Sequence, residues 1–233
     1  DYGLATRPSF SAFNGGVLPP NASSISGSWS AVPVPNWPTF SNPLGIVQEP
    51  GTQSMIVWER EGRVYRFDKA TGANKTLMLD ISANVQGWDD CGMLNLVCHP
   101  NYATNHYLFI YYTWVPAGQI KGNSTTRPPT FTTNWKRLSR FTVKTDGTID
   151  PASETVLVHQ KCQALWHSGS GMFFHPDDGF LYFINGDDFV PTKAQKLNGA
   201  RGIDHFIRGR ILEEAAVGFH PDPESVQADA ADA

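Results

Sequence analysis

GMLNLVCHPNYATNHYLFIYYTW (residues 92–114) opens on a Gly-Met pair, runs through apolar residues into a His-Pro-Asn turn, and continues as a second β-rich run. The same order returns in GMFFHPDDGFLYFINGDD (171–188), and more loosely in LGIVQEPGTQSMIVWEREGRVYRF (44–67). Apolar runs of this length, bounded by Pro, Gly, Asn and Asp, read as strands joined by tight turns. The first copy continues through GRVYRF, and the second is followed by RLSRFTVKTDGTI (137–149), so each unit carries strands beyond its first hairpin. A unit of about 40 residues and four strands, repeated along a chain, is how a β-propeller shows itself in sequence. A β-sandwich whose hairpins are similar by coincidence is the alternative.

Composition supports an all-β chain. Of 233 residues, 40% are hydrophobic and only 17% charged, while 21 Gly and 17 Pro favour short strands and tight turns over long helices. The net charge of -4 leaves no basic face for nucleic acid, the longest cationic run being WKRLSR (135–140). No stretch approaches the roughly 18 consecutive apolar residues of a membrane span. The chain begins at Asp1 without a charged-then-apolar leader. Three N-x-[ST] sequons, at Asn21, Asn74 and Asn123, lie in polar stretches, as surface acceptor sites do.

Three segments follow. Residues 1–40 are irregular and Pro-rich, suited to an arm over the domain surface. Residues 41–200 hold the repeated units, with the Pro, Gly, Ser and Thr-rich stretch Pro116–Thr133 as a loop insertion. At about 40 residues per blade they make a truncated arc of about four blades. The pattern stops after about Asn198, and the acidic, Ala-rich 201–233 reads as an irregular, disordered tail; the propeller is expected to be cut short at this point.

In a hairpin, residues equally far from the turn lie opposite one another. With the turn at Asp177–Gly179, His167 and Asp187 emerge together at one end. A carboxylate beside an imidazole holds one tautomer and favours the imidazolium, which suits a general base near neutral pH. The small residues Ser168 to Gly171 leave room for a flat or polyhydroxylated ligand. His99 and His175 belong to His-Pro turns at the opposite end and read as structural. The remaining histidines have no metal-ligand spacing, and no nucleophile elbow or phosphate loop is present. Cys91 and Cys98 flank one strand and lie too far apart to bridge. A Cys91–Cys162 disulfide and free buried thiols both remain open.

The ordered set GMLNLVCHPNYATNHYLFIYYT, RLSRFTV and HSGSGMFFHPDDGFLYFINGDD resembles the soluble quinoprotein glucose/sorbosone dehydrogenase family, from about Pro43 to Asn198. That family includes aldose sugar dehydrogenases and hedgehog-interacting-protein-like proteins. The resemblance implies a six-bladed propeller with pyrroloquinoline quinone (PQQ) near the axis and Ca2+ helping to hold it. An aldose would be oxidised at C1 to the lactone and an external electron acceptor would follow, in a secreted or periplasmic protein. His167 matches the catalytic histidine and Asp187 the aspartate closing the same hairpin. Asp90 stands where relatives often carry Gln at the sugar site, and Trp166 precedes the histidine; both are candidate substrate- or cofactor-binding residues. Asn95 stands where relatives commonly have Gly, and most cofactor and calcium ligands are expected downstream. The alternative function is a non-catalytic extracellular propeller that presents the Pro116–Thr133 loop, Trp114, Trp135 and Trp166 to a protein or glycan.

Overall fold

A computed structural model describes residues 32–128, 134–162, 164–177 and 179–186, and the backbone of 205–209. Its contacts divide the chain into residues 1–34 and 35–233, and the strands of the described residues lie in the second unit.

The first sheet is a meander of β1 (Pro43–Gln48), β2 (Ser54–Glu59), β3 (Arg63–Asp68) and β4 (Thr76–Asp80), each antiparallel to the next. The second repeats the order with β5 (Met93–Cys98), β6 (Tyr107–Trp114), β7 (Trp135–Thr142) and β8 (Thr155–Lys161). One helical turn, α1 (Tyr102–Asn105), joins β5 to β6 and stops where His106 turns left-handed at φ 56°. The third sheet holds β9 (Met172–Phe174), β10 (Leu181–Asn185) and β11 (His205–Gly209). Consecutive sheets pack through their first strands, β1 on β5 and β5 on β9. That is the arrangement of blades around an axis. The fold is an all-β, truncated propeller arc, as the repeated hairpins imply.

The described residues form three sheets of the arc, the second running from Met93 to Lys161 around the insertion. Within 201–233, His205 to Gly209 form β11 and pair with Asn185 to Leu181.

Burial follows the layers. Ile56, Val64, Leu79, Leu96, Leu108 and Phe141 form the core between the first two sheets. Phe109, Tyr111, Leu138, Met172, Leu181 and Phe183 form that between the second and third. β2 is buried on both faces: Met55 and Val57 face Trp37 and Phe40 of the preceding segment, while Ile56 and Trp58 face the second sheet. This explains its continuous apolar run SMIVWE. Each such side chain contributes about 1.5–3 kcal/mol on burial.

Carboxylates at the strand connections, Glu49 buried and Glu154 half-buried, gather hydroxyl and guanidinium donors. Glu49, in the β1–β2 turn, accepts from Tyr102 of α1 at 2.8 Å and pairs with Arg66 of β3 at 2.8 Å. Burial, and then the neighbouring Glu49, push the Tyr102 phenol well above its usual range. Glu154 similarly accepts from Ser139 at 2.6 Å and from the Tyr112 hydroxyl.

All three cysteines are free, which closes the Cys91–Cys162 option. His99 and His175 do the same work in their two turns, each ring Nδ1 accepting the backbone N–H two residues on, at 3.0 and 3.3 Å.

Candidate functional site

The three inner strands begin at one face, and a cleft of about 550 Å3 opens there between Leu44, Leu94 and Gly171. Its polar wall is Arg60, just past β2, with Asp89 and Asp90 before β5 and His167 before β9. Asp90 and His167 therefore converge on one face, as their places ahead of inner strands predict.

They meet through the backbone. The His167 N–H donates to Asp90 Oδ2 at 2.9 Å, and the indole of Trp166 donates to Asp89 Oδ2 at 2.5 Å. Two consecutive carboxylates thus seat two consecutive residues. Asp89 has φ 54°, the left-handed turn that sends the two side chains to neighbouring positions, and its carbonyl accepts from Arg60. The Nε of Arg60 is buried without a partner among the described residues.

The loop carrying His167 is anchored at almost every peptide. The Cys91 thiol donates to Leu165 O at 3.4 Å, Lys136 Nζ reaches His167 O at 3.4 Å, and Tyr111 OH donates to Ser168 O at 2.6 Å. Asn95 Nδ2 donates to Ser170 O. Lys136 is only 1% exposed and also donates to Gly186 O at 2.6 Å, joining the loop to the end of β10. His167 itself has φ 57°, so these contacts hold a conformation that costs a non-glycine residue about 1 kcal/mol or more.

The small residues Ser168 to Gly171 line the cleft beside His167, and two glycines of this region also permit close backbone approach. A Cβ on Gly169 would lie 2.5 Å from Ile184 O, and one on Gly186 would lie 1.6 Å from His167 O. These glycines allow two backbones to touch, while Ser168 is buried. The His167 ring, by contrast, is exposed at the cleft.

Asp187, the expected partner of His167, lies outside the described residues. The hairpin leading to it has Leu181 opposite Phe174 and Phe183 opposite Met172, one residue out of the register that a turn at Asp177–Gly179 sets. Asn185 Oδ1 then accepts from Tyr111 at 3.2 Å. Trp166 is 37% exposed and stands beside Asp89.

Arg60, Asp89, Asn95, Tyr111 and Lys136 did not emerge as site residues from sequence alone. Lys136 sits inside WKRLSR, which reads as a short basic run; only strand alternation, which sets it on the same face as Leu138, hints that it points inward. Tyr111 and Tyr112 are adjacent and face opposite sides, with nothing in the sequence to say which faces the site.

Burial pushes the Cys91 thiol up to about 12, so it stays a thiol beside the cleft. Among the described residues no three His, Cys, Asp or Glu gather as metal ligands, and no helix is long and apolar enough to cross a membrane.

A family model described as glucose / sorbosone dehydrogenase matches residues 40–210. The human Hedgehog-interacting protein is 29% identical over 155 residues, covering 64% of this chain and 21% of that protein. The mouse protein is 30% identical over 146 residues, covering 60% and 20%. Among solved structures, a PQQ-bound aldose sugar dehydrogenase from Streptomyces coelicolor superposes with TM-score 0.56 at 18% identity, covering 80% of this chain and 51% of that one. A glucose dehydrogenase crystal structure gives 0.52 at 16%, covering 82% and 49%. The chain therefore spans about a fifth of the curated relatives and about half of the solved ones, and the structural likeness concerns the fold.

Proposed function

The chain belongs to the glucose/sorbosone dehydrogenase family, and we propose that it forms part of a quinoprotein sugar dehydrogenase acting outside the cytoplasm. The reaction is oxidation of an aldose at C1 to its lactone, with an external electron acceptor. His167 takes the proton of the anomeric hydroxyl. Its exposed side chain on a loop anchored on both sides of it is the observation that carries this reading, because a general base must be both reachable and held in place.

The cleft volume lies within the range of small-molecule sites. Pyrroloquinoline quinone, when bound, supplies the acceptor for the C1 hydride. It carries carboxylates, and Arg60, with its unpartnered buried Nε, is the described residue suited to hold one. Asp90 keeps the His167 loop seated, Trp166 offers an apolar face for a sugar ring, and Asp187 orients the imidazole. Ca2+ enters through the family resemblance, with ligands expected among other residues.

A second reading, a non-catalytic extracellular propeller binding a protein or glycan, draws support from the similarity to Hedgehog-interacting protein. It draws further support from Asp89 and Asp90, which set two negative charges against one Arg60 at the cleft. A carboxylate at ~4 Å from an anionic ligand costs about 1–4 kcal/mol in a semi-exposed site.

Titration with PQQ in the presence of Ca2+, followed by addition of aldoses and a redox dye, separates the two readings. Saturable quenching of tryptophan fluorescence, weakened by Arg60→Gln, is expected, together with dye reduction that His167→Ala abolishes while quinone binding persists. Failure of a full-length version to bind the quinone rejects the dehydrogenase and leaves the binding propeller.

A further inference from the structure

We propose that Asn74 and Asn123 are acceptors for N-linked glycan, Asn74 at the far end of the first blade and Asn123 on the cleft-side β6–β7 loop of the second. The inference rests on the extracytoplasmic location proposed above, because only there does the chain meet an oligosaccharide donor. Both sequons, Asn74-Lys75-Thr76 and Asn123-Ser124-Thr125, fall in turns with the asparagine exposed.

Asn74 lies between β3 and β4 with φ 59°, so it projects from the corner and not along a strand. β2 ends beside Arg60 at the cleft, and β3 runs away from that end, so the β3–β4 turn is at the far end of the blade. Asn123 is on the cleft side. Its neighbour Ser124 donates to Glu61 in the β2–β3 turn at 3.1 Å, and Gly122 and Gly87 are hydrogen-bonded at 3.2 Å, two residues before Asp89.

At Asn123 the side chain is exposed and fixed within its own sequon turn. Thr125 Oγ donates to Asn123 Oδ1 at 2.9 Å, and the backbone N–H groups of Thr125 and Thr126 donate to the same oxygen at 2.9 and 2.8 Å. These three donors hold the carboxamide by its oxygen and do not involve Nδ2. In the transfer, Asn Nδ2 forms a bond to the anomeric carbon of a polyprenyl-pyrophosphate-linked oligosaccharide. The bond from that carbon to the pyrophosphate oxygen breaks, and the polyprenyl pyrophosphate leaves with the electron pair and takes up the proton that the amide loses. A glycan on Asn123 would then flank the cleft and screen it from large partners, whereas one on Asn74 would not.

The test is secretion of the full chain behind a cleavable leader from a eukaryotic host, followed by peptide mapping before and after an amidase that converts glycosylated Asn to Asp. The expected result is a glycan mass on the Asn74 and Asn123 peptides and conversion of both asparagines. Thr125→Ala should clear the Asn123 peptide alone, while Thr125→Ser keeps it modified. Secreted, cooperatively unfolding protein with both asparagines bare overturns the proposal. That outcome leaves the location reading untouched, since location is decided separately by where the tagged full-length gene product fractionates. Modification that survives Thr125→Ala overturns the assignment to Asn123.

Discussion

The backbone N–H of His167 rests on the Asp90 carboxylate at 2.9 Å, and the indole of the residue before it rests on Asp89. The seating is electrostatic, and the donor is a left-handed residue that would otherwise relax. Asp90→Ala should therefore release the loop without unfolding the blades. An exposed hydrogen bond to a charged acceptor contributes about 1.5 kcal/mol here, the low end of its range. We expect a small change in Tm, faster hydrogen exchange confined to residues 165–171, and at least a tenfold fall in any His167-dependent turnover. Exchange that stays slow would show that Tyr111 and Lys136 suffice.

Lys136→Met carries the opposite signature. Removing the buried ammonium leaves the carbonyls of Gly186 and His167 without their donor, at about 1–3 kcal/mol for a stranded acceptor. Thermal unfolding should shift down by several degrees, and the loss should reach β10 as well as the loop. Hydrogen exchange resolved by peptide distinguishes it from Asp90→Ala, whose effect stops at the loop.

Two glycines separate close approach from backbone freedom. Gly186→Ala places a methyl inside van der Waals contact of His167 O, so the loop and β10 must part; a loss of about 3 kcal/mol is expected. Gly118 has φ 79° but open space where a Cβ would go, so Gly118→Ala should cost only about 1 kcal/mol. Equal losses in chemical denaturation would refute the contact at Gly186.

The hairpins were legible because the His-Pro turns and apolar runs fix register locally, and His167 was legible because it precedes such a run. The tethers were not. Tyr111, Asn95 and Lys136 reach the loop across a blade interface, and alternation along one strand does not say which blade lies opposite. Asn95 shows the limit plainly. Read in sequence it is a departure from a common Gly; in the fold it sits at a β-bulge and fastens Ser170.

Alkaline pH provides the last prediction. Burial raises the Cys91 and Cys98 thiols from 9.0 to about 12 each, and raises the phenols of Tyr102 and Tyr112 further. A group whose folded pKa is raised stabilises the fold fully below its unfolded value and loses that contribution as pH climbs toward the folded one. Between pH 9 and about 12 each thiol should remove about 1.4 kcal/mol of stability per pH unit, because the unfolded chain ionises first. The acid side of this window should be flat with respect to these groups. Denaturant unfolding measured from pH 8 to 11 should show stability falling steeply above 9, and Cys91→Ala with Cys98→Ala should flatten the fall even though each variant starts from a lower plateau. An unchanged slope in the double variant would mean that the phenols, held neutral by burial beside Glu49 and Glu154, govern alkaline unfolding instead.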